Sequence, residues 1–147
     1  MKSSVKLLRA FRGHMLAILV LLVIEFVLGM YTALFVAFPD SLVNGNAWAW
    51  SMSQSPVVLL HVILGTLLAL AAVVVLVLSF LLRSRAALLT GVLGFAAMAV
   101  AYLSGATFLS DVNQDLYSFT MALGFIAAAV VYGVGYYGMR PVVDSAA

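Results

Sequence analysis

Residues 56–83 read PVVLLHVILGTLLALAAVVVLVLSFLLR. From Pro56 to Leu82 there is no Lys, Arg, Asp or Glu, and His61 is the sole ionisable side chain. At about 1.5 Å per residue, the stretch outruns a hydrocarbon core of about 30 Å. Arg83 and Arg85 close it. It reads as a membrane span with an imidazole near one end and a basic stop at the other.

The rest of the chain agrees. Its 147 residues are 66% hydrophobic and 8% charged, with a mean hydropathy of +1.22. Soluble domains carry about 25% charged residues, so lipid is the expected solvent. Without cysteine there are no disulfides, thiolate metal sites or CxxC chemistry. The seven cations are Lys2, Lys6, Arg9, Arg12, Arg83, Arg85 and Arg140. They fall at the two termini and in the middle linker, while the other linkers carry Asp40, Asp111 and Asp115. The positive-inside rule then places both termini and the 83–87 linker in the cytoplasm of a multi-pass cell-membrane protein. That requires an even number of spans, and four fit. The basic N-terminus is a topology signal; it lacks the interleaved aromatics of a nucleic-acid patch. The apolar run from Met15 to Phe38 is too long for a signal-peptide core of 7–15 residues and is expected to be retained.

The expected fold is all-α: one integral membrane four-helix bundle over 1–147, up-down, with spans near 15–38, 56–82, 86–109 and 116–139. Residues 1–13 form a basic cytoplasmic lead, with His14 at the boundary. Glu25 lies about 15 Å along span one from Met15, near the bilayer centre. Burying a carboxylate there costs roughly 2.5–3.5 kcal/mol, so Glu25 is expected to face other helices or a water pocket, protonated or hydrogen-bonded. It serves either proton handling or packing. Gly29 and Thr32 share its helix face.

The loop from Pro39 is rich in turn formers (Pro39, Asp40, Asn44, Gly45). In it WAWSM, residues 48–52, reads as a short interfacial helix, with Trp48 and Trp50 in the headgroup belt. His61 stands about 7–8 Å inside span two, with Gly65 one turn on, leaving room for a flat ligand or a close helix. Span three is rich in small residues (Gly91, Gly94, Ala97, Ala101, Gly105), which let helices approach closely. Met121 lies about 9 Å into span four, near the level of His61, and Phe125, Ala128 and Tyr132 continue its face.

Soluble-enzyme motifs are missing: no P-loop, GxGxxG, HExxH or GxSxG. His14 and His61 lie at opposite membrane faces, so a tetrahedral zinc site is not expected. His61 and Met121 remain as a pair at one depth. His/Met is an axial pair for haem, and bundle cores hold cofactors. Each residue also has a plainer role: Met121 as core filler, His61 as a hydrogen-bonding group between helices.

In order and spacing over roughly residues 12–135, the chain resembles one four-helix half of the haem A synthase family. These are membrane enzymes that oxidise a methyl group of haem. LGMYT (28–32) runs into FPD (38–40) and a long loop, as in the family. His61 in LHVILGTLLAL stands where the family has a haem-ligand histidine, and Arg83 and Arg85 close that span. Met121 in SFTMALGF falls near the second ligand histidine. Val58 and Val62 occupy the family's glutamate and arginine positions, and the loop cysteines are missing. The resemblance therefore implies haem b binding without catalysis. A fainter likeness, to small multidrug transporters, rests on four short spans and a lone span-one glutamate; the charge bias here departs from theirs.

Three functions follow as expectations. The first is haem binding and electron transport near the outer face, with His61 as axial iron ligand, Met121 as second ligand and Gly65 beside the cofactor. The second is a non-catalytic accessory or assembly subunit of a larger, for instance respiratory, membrane complex, with no cofactor. The third is proton-coupled transport built on Glu25. The expected partners are the lipid bilayer and other membrane subunits, with no nucleic acid.

Overall fold

The computed structural model describes residues 2–38, 47–108 and 114–139. The turn formers at 39–45, Asp111, Arg140 and the PVVDSAA tail lie outside them, as does the side chain of Trp48. The described residues are all-helical: α1 Lys2–Phe35, α2 Ala47–Gln54, α3 Pro56–Leu82, α4 Arg85–Phe108 and α5 Gln114–Gly138. Four stretches are long and apolar enough to cross a membrane: Ser4–Phe35, Pro56–Leu82, Arg85–Phe108 and Asp115–Gly138.

The helix ends follow local chemistry. Pro56 opens α3, where its missing N–H is not needed. Arg83 ends α3 in the left-handed conformation (φ 51°, ψ 25°), its N–H bonding the Phe80 carbonyl at 3.3 Å. This tight joint turns the chain straight into α4. The first helix differs from the expected span 15–38 at both ends: it stops at Phe35 and starts at Lys2, so the basic lead is helical. It is held by packing as well as propensity. Phe11 is fully buried. Arg12 Nε donates to the Tyr136 carbonyl (3.3 Å), and the guanidinium lies 4.7 Å from the Tyr136 ring centre. A cation there satisfies a terminal carbonyl of α5 and complements its dipole.

α1 packs on α3 and α5, and α4 on α3 and α5; among the described residues α1 does not meet α4, nor α3 meet α5. The four long helices thus close a ring in which α3 and α5 stand across from each other. Contacts between α4 and α5 run in opposite chain directions: Thr120 Oγ1 to Ser104 Oγ at 2.9 Å, Met121 beside Gly105, Gly124 against Ala97 and Ala101, Tyr132 on Gly94, Thr90 at Gly135. The small residues of α4 are the sites of this close approach. Ser104→Ala removes the hydroxyl pair and is expected to lower stability by about 0.6 kcal/mol, read as the midpoint of a denaturing-detergent titration.

The apolar core fills the half of the ring near Arg83, with Met15, Ile18, Leu68, Val75, Ala128 and Tyr132 buried together. The outside is apolar as well: Val23, Leu34, Leu103 and Val134 are each more than 60% exposed. A surface of that kind belongs in hydrocarbon.

Candidate functional site

The other half of the ring, towards α2, is hollow. A cavity of about 660 Å³ lies there, walled by α1, α3, α4 and α5 and reached by Ser51 of α2. Most of its wall is apolar, including Leu22, Val58, Leu68, Met98, Ala101 and Phe125. Small residues make the space: Gly29, Gly65, Ala101 and Gly105 bring helical backbone to the wall where larger side chains would fill it.

Two ionisable side chains meet on one wall. Glu25 of α1 is 8% exposed, and its Oε1 lies 2.9 Å from Nδ1 of His61 on α3. The separation is that of an ion pair, but the ring N–H is not directed onto the oxygen. Nδ1, Glu25 Oε2 and Thr32 Oγ1 are buried without a hydrogen bond. At 2.9 Å the two groups are within hydrogen-bond reach, and a turn of the ring would align the N–H with the oxygen. Glycines make the approach possible on both sides. A Cβ on Gly29 would lie 3.2 Å from His61 Cε1, and one on Gly65 would lie 3.1 Å from Glu25 Oε1. Each helix is bare where the other projects its polar group.

The candidate residues therefore converge in part. Glu25, Gly29, Thr32, His61, Gly65 and Met121 all line this cavity. Met121 is on α5, across the ring from α3, with its sulfur 3.2 Å from where a Gly105 Cβ would be. His14 takes no part: it is exposed and its Nδ1 lies 2.8 Å from its own helix at the Ala10 carbonyl. Among the described residues no group of three or more His, Cys, Asp and Glu is placed to hold a metal ion.

Helix depth alone misses the Glu25–His61 contact, since it sets Glu25 near the bilayer centre and His61 nearer a face. Glu25 is ten residues from the end of α1 and His61 five from the start of α3, a difference of about 7–8 Å. The end of α1 therefore rises past the start of α3. α2 packs against α3, with Ser51 buried at the cavity. The signal that does point to the contact is the paired spacing, Glu25 with Gly29 and His61 with Gly65. Also unforeseen are Ser51, Tyr102 and the aromatic cover. Phe38 packs on Trp50 (ring centres 5.5 Å apart) and edge-on to Phe108 (5.3 Å). Trp50 thus packs on Phe38, which lines the cavity.

No family model, curated protein or solved structure matches the chain.

Proposed function

We propose that the chain is an up-down four-helix bundle of the cell membrane with both termini cytoplasmic, and that its cavity binds a b-type haem for electron transport. The topology rests on the charge pattern: Lys6, Arg9, Arg83 and Arg85 belong to the end away from α2, and Asp115 to the α2 end. One observation carries the haem reading. His61 meets Glu25 through Nδ1, while Nε2 is not among the buried unpartnered atoms, in a cavity with a thioether on the facing helix.

The residues present fit the group. The cavity has the size and apolarity of a cofactor site. His61 Nε2 would hold the iron on the α3 side and Met121 on the α5 side, the pair found in electron-transfer haems. Gly65 and Gly105 keep the walls low beside those two residues. Among the described residues no Lys or Arg lines the cavity, so the hydroxyls of Thr32, Ser51 and Ser118 are the polar groups for the propionates. When bound, haem supplies one-electron transfer; the chain orients it, excludes water and sets its ligands.

The test is the absorption spectrum of the purified chain in detergent, oxidised and then reduced with dithionite. A Soret band with sharp α and β bands on reduction is expected. A colourless protein after expression with ample haem contradicts the reading and leaves the accessory-subunit function. Met121→Leu keeps the volume but removes the sulfur, so it should retain haem, lose the six-coordinate reduced spectrum and lower the potential. An unchanged spectrum would remove Met121 from the site.

A second reading, proton-coupled transport, is favoured by the unpartnered Oε2 of Glu25 at the cavity wall. It requires Glu25→Gln to abolish uptake driven by a pH gradient in proteoliposomes.

A further inference from the structure

We propose that Glu25 is a positioning residue for the haem ligand: from the neighbouring helix it fixes which nitrogen of His61 faces the cavity and strengthens that nitrogen as a donor to iron. The inference rests on the haem reading and adds to it how the site is tuned.

The geometry at Gly29 gives the ring orientation. From the position a Gly29 Cβ would take, His61 Cε1 is 3.2 Å away, and Nδ1 and Nε2 are each 3.9 Å away. The ring therefore points its Cε1 corner at α1, with one nitrogen on either side. Nδ1 is the one 2.9 Å from Glu25 Oε1; Nε2 is on the side away from that contact. A half-turn of the ring would put Cδ2 in place of Nδ1 and lose the contact with Glu25 Oε1. Gly65 does the matching work for the carboxylate, since an alanine there would press on Oε1 at 3.1 Å. The ring and the carboxylate thus hold each other.

This orientation has a chemical consequence. A carboxylate behind the non-ligating nitrogen keeps the proton on Nδ1 and raises the basicity of Nε2. Greater basicity stabilises ferric over ferrous iron, so the site should have a lower potential than a His/Met pair lacking the carboxylate. Among the described residues no other acid lines the cavity, and the remaining ionisable side chain is Tyr102 of α4. The effect is therefore assigned to Glu25, the acid in contact with His61.

The experiment uses the full chain in detergent, loaded with ferric haem, as wild type, Glu25→Gln and Gly65→Ala. Glu25→Gln keeps the side-chain shape and is expected to weaken ferric haem binding by about 10–100-fold. A tenfold loss confined to the ferric form is an upward potential shift of about 59 mV. Gly65→Ala retains Glu25 but displaces Oε1, and should shift the potential in the same direction by less; it keeps the test open if Glu25→Gln does not fold. In the chain before loading, nitrogen NMR of labelled His61 should show the Nδ1–H tautomer in wild type and a tautomer mixture in Glu25→Gln. A merely structural glutamate would move neither tautomer nor potential. Coloured wild type with both variants unchanged in affinity and potential overturns this inference alone; colourless wild type overturns the haem reading with it.

Discussion

His61→Ala is expected to lower haem affinity by more than about 100-fold, beyond the 10–100-fold range for supporting residues around a metal. His61 is the cavity's only imidazole. The remaining donors are two thioethers, a carboxylate and a phenol: Met98, Met121, Glu25 and Tyr102. Thioethers are soft ligands and a poor substitute for imidazole on ferric iron. The substitution removes a half-buried ring from a cavity that already exists, so the fold should persist; helical content by circular dichroism checks this. Added free imidazole should restore part of the Soret band, because the ring's space is then open beside Glu25. If His61→Ala binds haem as wild type does, the ligand lies elsewhere.

The second large effect is on folding. Gly124 of α5 sits at a close approach of α4 and α5. A Cβ there would be 2.7 Å from the Ala101 amide nitrogen and 2.8 Å from the Ala97 carbonyl oxygen. These are backbone atoms of α4, and no rotamer change moves them away. Gly124→Val should therefore force the helices apart and cost at least the roughly 1–3 kcal/mol of an overpacked core. The same shift would disturb the Met121–Gly105 contact one turn away. Gly133 is the control. A Cβ there meets nothing within 4 Å, so Gly133→Ala should be neutral or stabilise α5 by up to about 1 kcal/mol. Midpoints in a denaturing-detergent titration measure both. Equal midpoints for Gly124→Val and wild type would contradict the close approach of α4 and α5.

Much of this was legible in the residues. The four apolar stretches are long enough that length and charge identify them, and α3 ends at Leu82 as the Arg83–Arg85 stop suggests. The start of α1 was not legible, because its first turns are polar and the burial of Phe11 depends on neighbours. The candidate side chains could be named from chemistry alone: an acid, an imidazole and a thioether in apolar helices stand out. Their pairing could not be read from depth, since each depth was counted from its own helix end and the ends are not level. Glu25 and His61 meet because α1 rises past the start of α3. Only the repeated spacing of a polar residue and a glycine four residues on hinted at it. The aromatic cover joins Phe38, just beyond α1, with Trp50 of α2 and Phe108 of α4, and no local pattern could place those rings together.

The most direct measurement is a titration of the purified chain with ferric haem, followed at the Soret band, beside His61→Ala under the same conditions. The expected result is saturation at one haem per chain in wild type, with sharp α and β bands on reduction, and no saturable binding in the variant. Absence of saturable binding in wild type, or equal binding in both proteins, would contradict haem ligation by His61.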